Sequence, residues 1–452
     1  MSRIPARRGL SALLALAAAL GMLSAAPALA SDAPAAVRAP AAALSDRGVV
    51  AGLERYAHPL RATGPDGGSS RDLAALGRMT RGAGIVGVGE VTHGSKEVFT
   101  FRERLFRHLV AEEGFTALAL EAPWSTGVRL DAHIRTGRGD LRTILREEFQ
   151  GDYKSWRTEE FFRLFSWMRE HNRTSARQLR IMGNDIGDVG RDQYARVLGW
   201  TAEHRPALLP GLRERYAGLL ALPGGRAERM KAIGTLPRER KQALADDARA
   251  AHQLLKGSGA VHPRVLQEAW VIAQMAGMYA LDGAALHLHR DRAMAENTVW
   301  WQRWTGRKIV AAAHNGHVTY RSPWPEQYPV TQGEWLRRLT GSGYLAIGTS
   351  VHSAGYLAAH RESGNVETFD TGPAAPGSNE HTLDRVRHRD YYLDLRRAGR
   401  DPGAGGWLNT ARPTFLVPAT HVPEVMTRPQ TLTEGYDVLV HLHRVEAAVP
   451  LR

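Results

Sequence analysis

An apolar run, Ile85-Val86 and Val88, breaks off at Gly89-Glu90-Val91-Thr92-His93-Gly94 and is followed at once by an amphipathic stretch over 95–113. Strand, polar turn and helix in that order begin a crossover unit, which lays the next strand parallel to the first. The alternation recurs. Apolar runs fall at 84–88, 116–121, 178–183, 307–313 and 343–351, with later ones near 390–395, 413–418 and 435–442. Helical patterns separate them at about 72–80, 95–113 and 158–171. The pattern predicts an α/β fold, a parallel-type sheet flanked by helices. Residues from about 190 to 304 read as helices throughout, broken near Pro223-Gly224-Gly225 and Gly257-Ser258-Gly259. They are expected to form a helical insertion that roofs a pocket.

The two ends of the expected chain differ in kind. Arg3, Arg7 and Arg8, the apolar segment Leu10 to Met22 and the small-x-small step Ala28-Leu29-Ala30 make residues 1–30 a signal peptide, so that the exported chain begins at Ser31. The Arg7-Arg8 pair is compatible with either general or twin-arginine export. An Ala- and Pro-rich tether over 31–43 follows, and the folded domain spans 44–452. Removing the three leader arginines from the net charge of +13 leaves +10 on the exported part. That charge favours anionic cell-envelope polymers or acidic substrates. Nucleic acid is not an expected partner, because the arginines are scattered among acids and no RNA-binding or zinc-knuckle signature occurs. With no cysteine in the chain, thiol catalysis, cysteinyl metal sites and disulfides are excluded.

Ligands of open α/β sheets bind at the carboxyl ends of the strands. Glu90 and His93 fall there. So does Glu121, which closes the run Thr116-Ala117-Leu118-Ala119-Leu120. His314 and His317 follow Ile309 to Ala313 across a turn, a spacing suited to proton transfer or metal binding. Arg102 lies in the middle of the apolar face made by Val98, Phe101, Leu105, Phe106 and Leu109, with Ser95 as the expected helix cap. A guanidinium in that position either pairs with a carboxylate, for which Glu121 is the natural candidate, or snorkels to the surface. His287 and His289 sit within a helical pattern and are expected to be structural. No Gly-x-Ser-x-Gly, His-Glu-x-x-His or Gly-x-x-x-x-Gly-Lys motif occurs, so an α/β-hydrolase serine, a zincin helix and a P-loop all lack their signatures. The remaining groups suit activation of water.

In series, Gly89-Glu90-Val91-Thr92-His93-Gly94, Arg102, Glu121, Arg290-Asp291-Arg292-Ala293-Met294-Ala295-Glu296-Asn297 and Ala313-His314-Asn315-Gly316-His317 resemble the erythromycin esterase family. The resemblance implies a secreted carboxylic ester hydrolase that works without a metal or other cofactor on a small-molecule ester, a macrolide lactone or another bulky ester, with antibiotic resistance as one outcome. It implies His93 as the general base and Glu90 and Glu121 as the groups that orient and polarise the site. Arg102, His314 and His317 would hold those carboxylates, bind substrate or stabilise an oxyanion. The motifs carry the chemistry and leave the ester open. Two alternatives use the same residues: a metal-dependent hydrolase with His93, His314, His317 and a glutamate as ligands, and an inactive envelope-binding protein.

Overall fold

The computed structural model describes residues 46–66 and 68–452. The expected leader and tether lie outside the described residues. Among the described residues eleven strands are present: β1 (Ala57–Pro59), β2 (Ile85–Glu90), β3 (Phe115–Pro123), β4 (Arg180–Asp185), β5 (Lys308–His314), β6 (Tyr344–Ala359), β7 (Val366–Asp370), β8 (Tyr391–Asp394), β9 (Arg412–Phe415), β10 (Thr427–Gln430) and β11 (Val438–Val445). The main sheet runs β1-β8-β11-β6-β2-β5-β3-β4, with β7 added antiparallel to β6. From β11 to β4 all neighbours are parallel. β1 and β8 close one edge antiparallel.

The parallel centre is buried on both faces, as crossover helices require. Successive residues of its strands alternate between two apolar cores. Ile85, Ala117, Ala119, Ile309, Ala311 and Ala313 face one, while Val86, Val88, Leu118, Leu120, Val310 and Ala312 face the other. The first core is roofed by helices drawn from Arg191–His204 through to Gly283–Thr305. The second is covered by Lys96–Glu112, Trp124–Thr136 and Glu159–Thr174.

Three local outcomes differ from the sequence-based expectation. β9, read as part of the series of strands, pairs only with β10 in a separate antiparallel ribbon among the described residues, since Pro413 and Pro429 cannot donate to a wider ladder. β6 continues past 351 to Ala359, where it leaves the central sheet and pairs with β7. Ser95 does occupy the cap position of Lys96–Glu112, but its hydroxyl donates to the Gly355 carbonyl and meets Thr92 Oγ1 at 2.6 Å rather than capping the helix. That diversion ties the 90–95 turn to β6.

Candidate active site

Four adjacent strands, β2, β5, β3 and β4, end in Glu90, His314, Glu121 and Asp185 or carry them within their last turn. The site is therefore a row of polar groups across the carboxyl edge of the sheet. Register sets its spacing, because Glu90 lies directly beside His314. The turn after β2 is locked to β6: Thr349 Oγ1 donates to the Gly89 carbonyl and accepts from the Val91 amide. Asn315 clamps the same threonine, donating to its carbonyl and accepting from its amide. A Cβ on Gly89 would stand 2.1 Å from Asn315 Oδ1, so a side chain there would break the clamp.

Glu90 organises one half of the site. Its Oε2 accepts from Arg102 Nη1 at 2.5 Å, and its Oε1 accepts from Trp156 Nε1 at 2.9 Å. His93 Nδ1 meets the same Oε1 at 2.7 Å. Glu90 is wholly buried and Arg102 is 3% exposed. The helix face delivers the guanidinium to a carboxylate, not to solvent, and it lies 5.1 and 5.0 Å from the centroids of the Phe99 and Phe161 rings, which meet edge to face beside it. Because the Glu90 carboxylate can only accept, Nδ1 is the nitrogen that donates, and Nε2 is where a lone pair lies whenever the His93 ring is uncharged. The His314 ring lies 4.9 Å away, centroid to centroid.

Glu121 organises the other half. Its Oε1 accepts from Arg290 Nη2 at 3.0 Å and lies 3.1 Å from His317 Nε2, which Arg290 Nη1 also approaches at 3.1 Å, and its Oε2 accepts the His314 backbone amide at 2.9 Å. Burial alone would push this carboxyl up, but the positive charges of His317 and Arg290 hold it well below the ordinary range. Burial likewise opposes a charge on His317, yet Asp291 on Nδ1 at 2.9 Å and Glu121 on Nε2 raise its pKa to about 10. Arg290 also grips Asp185, through Nε at 2.9 Å and Nη2 at 2.5 Å, and the Tyr153 hydroxyl donates to Asp185 at 2.6 Å. His314 is the exception. Its Nδ1 accepts the Gly316 amide, which places the proton on Nε2. That nitrogen is buried without a partner of good hydrogen-bond geometry, although the Val91 backbone lies close enough to favour its proton weakly. Burial foremost holds the ring's pKa well below its ordinary value, and a positive charge on the neighbouring His93 would lower it further.

All six residues singled out from the sequence come together here. Their pairing differs in one respect: Arg102 binds Glu90, because both leave the same side of the β2 turn, while Glu121 takes Arg290 instead. Arg290, Asp291, Asp185, Tyr153 and Trp156 complete the cluster and had no assigned role. Asp185 carried the same signal as Glu90 and Glu121, an acid closing an apolar strand, but the expected strand stopped at 183. Trp156 comes from the short helix Gly151–Trp156 and offered no signal. His289 Nε2 donates to the Gln274 carbonyl, whereas His287 packs at a tilt against Tyr328 beside the site, its pKa lowered to about 4 mainly by burial and then by Arg290. Trp324 and Tyr328 lie over His314 and His317. Among the described residues, no group of three or more His, Asp or Glu is placed to hold a metal ion. A groove of about 510 Å³ between Trp270, Trp300, Trp304 and Leu339 shares no lining residue with the cluster.

An α/β sheet whose strand ends present a carboxylate-bound imidazole, a neutral imidazole and buried guanidinium–carboxylate pairs has the makings of a hydrolytic enzyme that activates water. The chain belongs to the erythromycin esterase family, whose sequence model matches residues 110–445. Glu121, His314 and His317 lie within that match, and Glu90, His93 and Arg102 precede it. The chain is 22% identical over 434 residues to the Bacillus subtilis strain 168 protein YbfO, covering 88% of this chain and 92% of that one. A crystal structure of a Bacillus cereus protein superposes with a TM-score of 0.82 at 28% identity, covering 90% of this chain and 99% of that chain. The fold is also that of an EreC erythromycin esterase mutant in an open conformation, with a TM-score of 0.66 at 18% identity over 85% of this chain and 96% of that one. Membership of the family points to a hydrolase.

Proposed function

We propose that this protein cleaves a carboxylic ester, a macrolide lactone or another bulky ester, by direct attack of water activated on His93. The observation that carries the reading is the Glu90–His93 contact of 2.7 Å, which leaves Nε2 as the acceptor and sets the resulting imidazolium against a carboxylate already in place. His93 takes a proton from water as the oxygen bonds to the carbonyl carbon. His314 Nε2–H, otherwise unpartnered, is the donor best placed for the oxyanion that forms. Collapse of the intermediate breaks the carbon–oxygen bond to the alcohol, which receives the proton from His93. No nucleophilic side chain is needed.

A screen of the purified chain against macrolides and other bulky esters, read by mass for gain of water, tests this. In isotopically labelled water one turnover should place the label in the product acid with no covalent adduct on the protein. A trapped acyl-enzyme, or no ester cleaved across the screen, would remove the reading.

Export belongs to the same proposal. It rests on the basic, apolar and small-x-small order of residues 1–30. Residues 1–30 fused to a reporter should direct it out of the cytoplasm with cleavage at or near Ser31, and the positive charge of the exported part would then give salt-sensitive attachment to anionic envelope polymer. An uncleaved intracellular reporter would sink it.

A further inference from the structure

Asp291 and Arg290 are neighbours on the helix Gly283–Thr305, yet they serve different carboxylate systems. Arg290 bridges Asp185 and Glu121, while Asp291 reaches past it to His317 Nδ1. Asp291 is wholly buried, and its Oδ2 also accepts the Gln332 amide at 2.9 Å, which fixes it against the start of the helix Gln332–Thr340. His317 thus has a buried carboxylate beside each ring nitrogen, Asp291 on Nδ1 and Glu121 Oε1 3.1 Å from Nε2, with Arg290 Nη1 equally close to Nε2. Neither nitrogen is left for substrate or water. From the geometry we infer that Asp291 is a positioning residue: it holds His317 as a standing imidazolium whose task is to pin Glu121, and through Glu121 the His314 backbone amide, so that the His314 ring presents its Nε2 proton to the reacting carbonyl. His317 on this view is neither acid nor base in the cycle. The inference rests on the ester-hydrolase reading for its catalytic consequence, but not for the charge on His317.

The other groups facing His317 fit this division. Arg290 and His287 oppose a positive charge on it, Glu121 and Asp291 favour one, His314 stays neutral, and the Tyr328 ring packs against it edge-on at 5.7 Å. The two carboxylates prevail, in keeping with a pKa of about 10. Without Asp291 the balance passes to Arg290. His317 would then lose a proton near neutrality and turn a lone pair towards Glu121 Oε1, and the carboxylate would have to move.

Two measurements test it. Side-chain nitrogen NMR of the wild-type protein should find both His317 nitrogens protonated from pH 6 to pH 9, and in Asp291→Asn one of them should release its proton within that range. Asparagine can keep the Gln332 contact through its amide oxygen, and Asp291→Glu, which retains the charge, should restore the cation if Asp291→Asn is poorly folded. In ester hydrolysis Asp291→Asn should lower kcat about tenfold or more with KM little changed, and should add a falling alkaline limb to the pH profile that the wild type lacks. A neutral His317 in the wild-type protein at pH 7 would overturn the inference whether or not any ester is cleaved. A profile for Asp291→Asn parallel to that of wild type would reduce Asp291 to a structural role. Absence of any esterase activity beside a protonated His317 would instead count against the proposed function.

Discussion

Glu90 and Glu121 end neighbouring parts of one sheet, and both are buried, but they are neutralised differently. Glu90 has one guanidinium, Arg102, and spends its remaining contacts on an indole N–H and the His93 imidazole. Glu121 has two cations, Arg290 and His317. A carboxylate with a single cation can steady a proton arriving on the histidine beside it. One held between two cations is a fixed pole. The two halves, which meet at the His93–His314 ring contact, together hold four carboxylates, Glu90, Glu121, Asp185 and Asp291, against three cations, Arg102, Arg290 and His317. They therefore carry one net negative charge while His93 is neutral, and the proton taken from water balances it.

The largest expected effect is on the Glu90 side. His93→Asn should fold as wild type and lose about a hundredfold to ten-thousandfold in hydrolytic rate, since an amide keeps a hydrogen bond to Glu90 but cannot accept a proton from water. Steady-state kinetics with a matched melting curve checks it. If His317→Asn lost as much while His93→Asn stayed active, the assignment of base and pole to the two halves would be reversed.

Next comes Arg102→Ala. It leaves Glu90 buried beside an indole and an imidazole without its guanidinium, and breaking a buried pair from one side costs about 3–5 kcal/mol. Denaturant unfolding should register a loss of that order together with loss of activity. Arg102→Lys should also be poor, because a compact, strongly hydrated ammonium does not replace a delocalised guanidinium beside the Phe99 and Phe161 rings. Arg290→Lys should cost less, since His317 still neutralises Glu121. Equal losses at the two positions would erase the distinction between them.

How far the sequence carried these roles follows from how local each one is. Glu90, His93 and Arg102 lie within one strand–turn–helix unit, and period-two and 3.6-residue patterns place all three on it. The row of acids at strand ends was legible for the same reason. What was not legible is partner choice. Arg290 reaches Glu121 across 169 positions of sequence, and Asp291 meets His317 only because one long helix lies over the carboxyl edge of the sheet. Buried charge predicts that a partner exists without saying which one it is. Nor does any local pattern disclose that Trp156 turns its indole to Glu90, or that β6 outlasts its central neighbours and anchors the 90–95 turn.

The Glu121 half should also declare itself on a pH axis. A group whose pKa is raised on folding stabilises fully below its unfolded value and loses that contribution as the pH climbs to the folded one. For His317 the decline runs from about pH 6.5, the ordinary imidazole value, to about 10. Glu121 behaves oppositely: its lowered pKa stabilises above the ordinary carboxylate range, and the contribution is lost as the pH falls through the depressed value. Melting temperatures between pH 7 and pH 10 should fall more steeply for wild type than for His317→Gln. Identical alkaline slopes would mean that His317 carries no extra proton in the folded protein.

The smallest difference is carried by two aromatic donors. Trp156 donates to Glu90 Oε1, the oxygen that also holds His93, whereas Tyr153 donates to Asp185, which reaches Glu121 only through Arg290. A hydrogen bond to a charged group is worth about 1.5–3 kcal/mol. In Trp156→Phe that loss falls on the carboxylate that steadies His93, so kcat should drop by about tenfold to a hundredfold, the rate equivalent of that range. In Tyr153→Phe the Asp185 carboxylate keeps both contacts from Arg290, and the change should appear mainly in stability, with kcat within about threefold of wild type. Comparing the two variants with the same ester therefore asks whether proximity to the base or membership of the charged cluster matters. A larger kcat loss in Tyr153→Phe than in Trp156→Phe would show that the Glu121 half takes part in the proton transfer, and that its cations are not the standing pole argued for here.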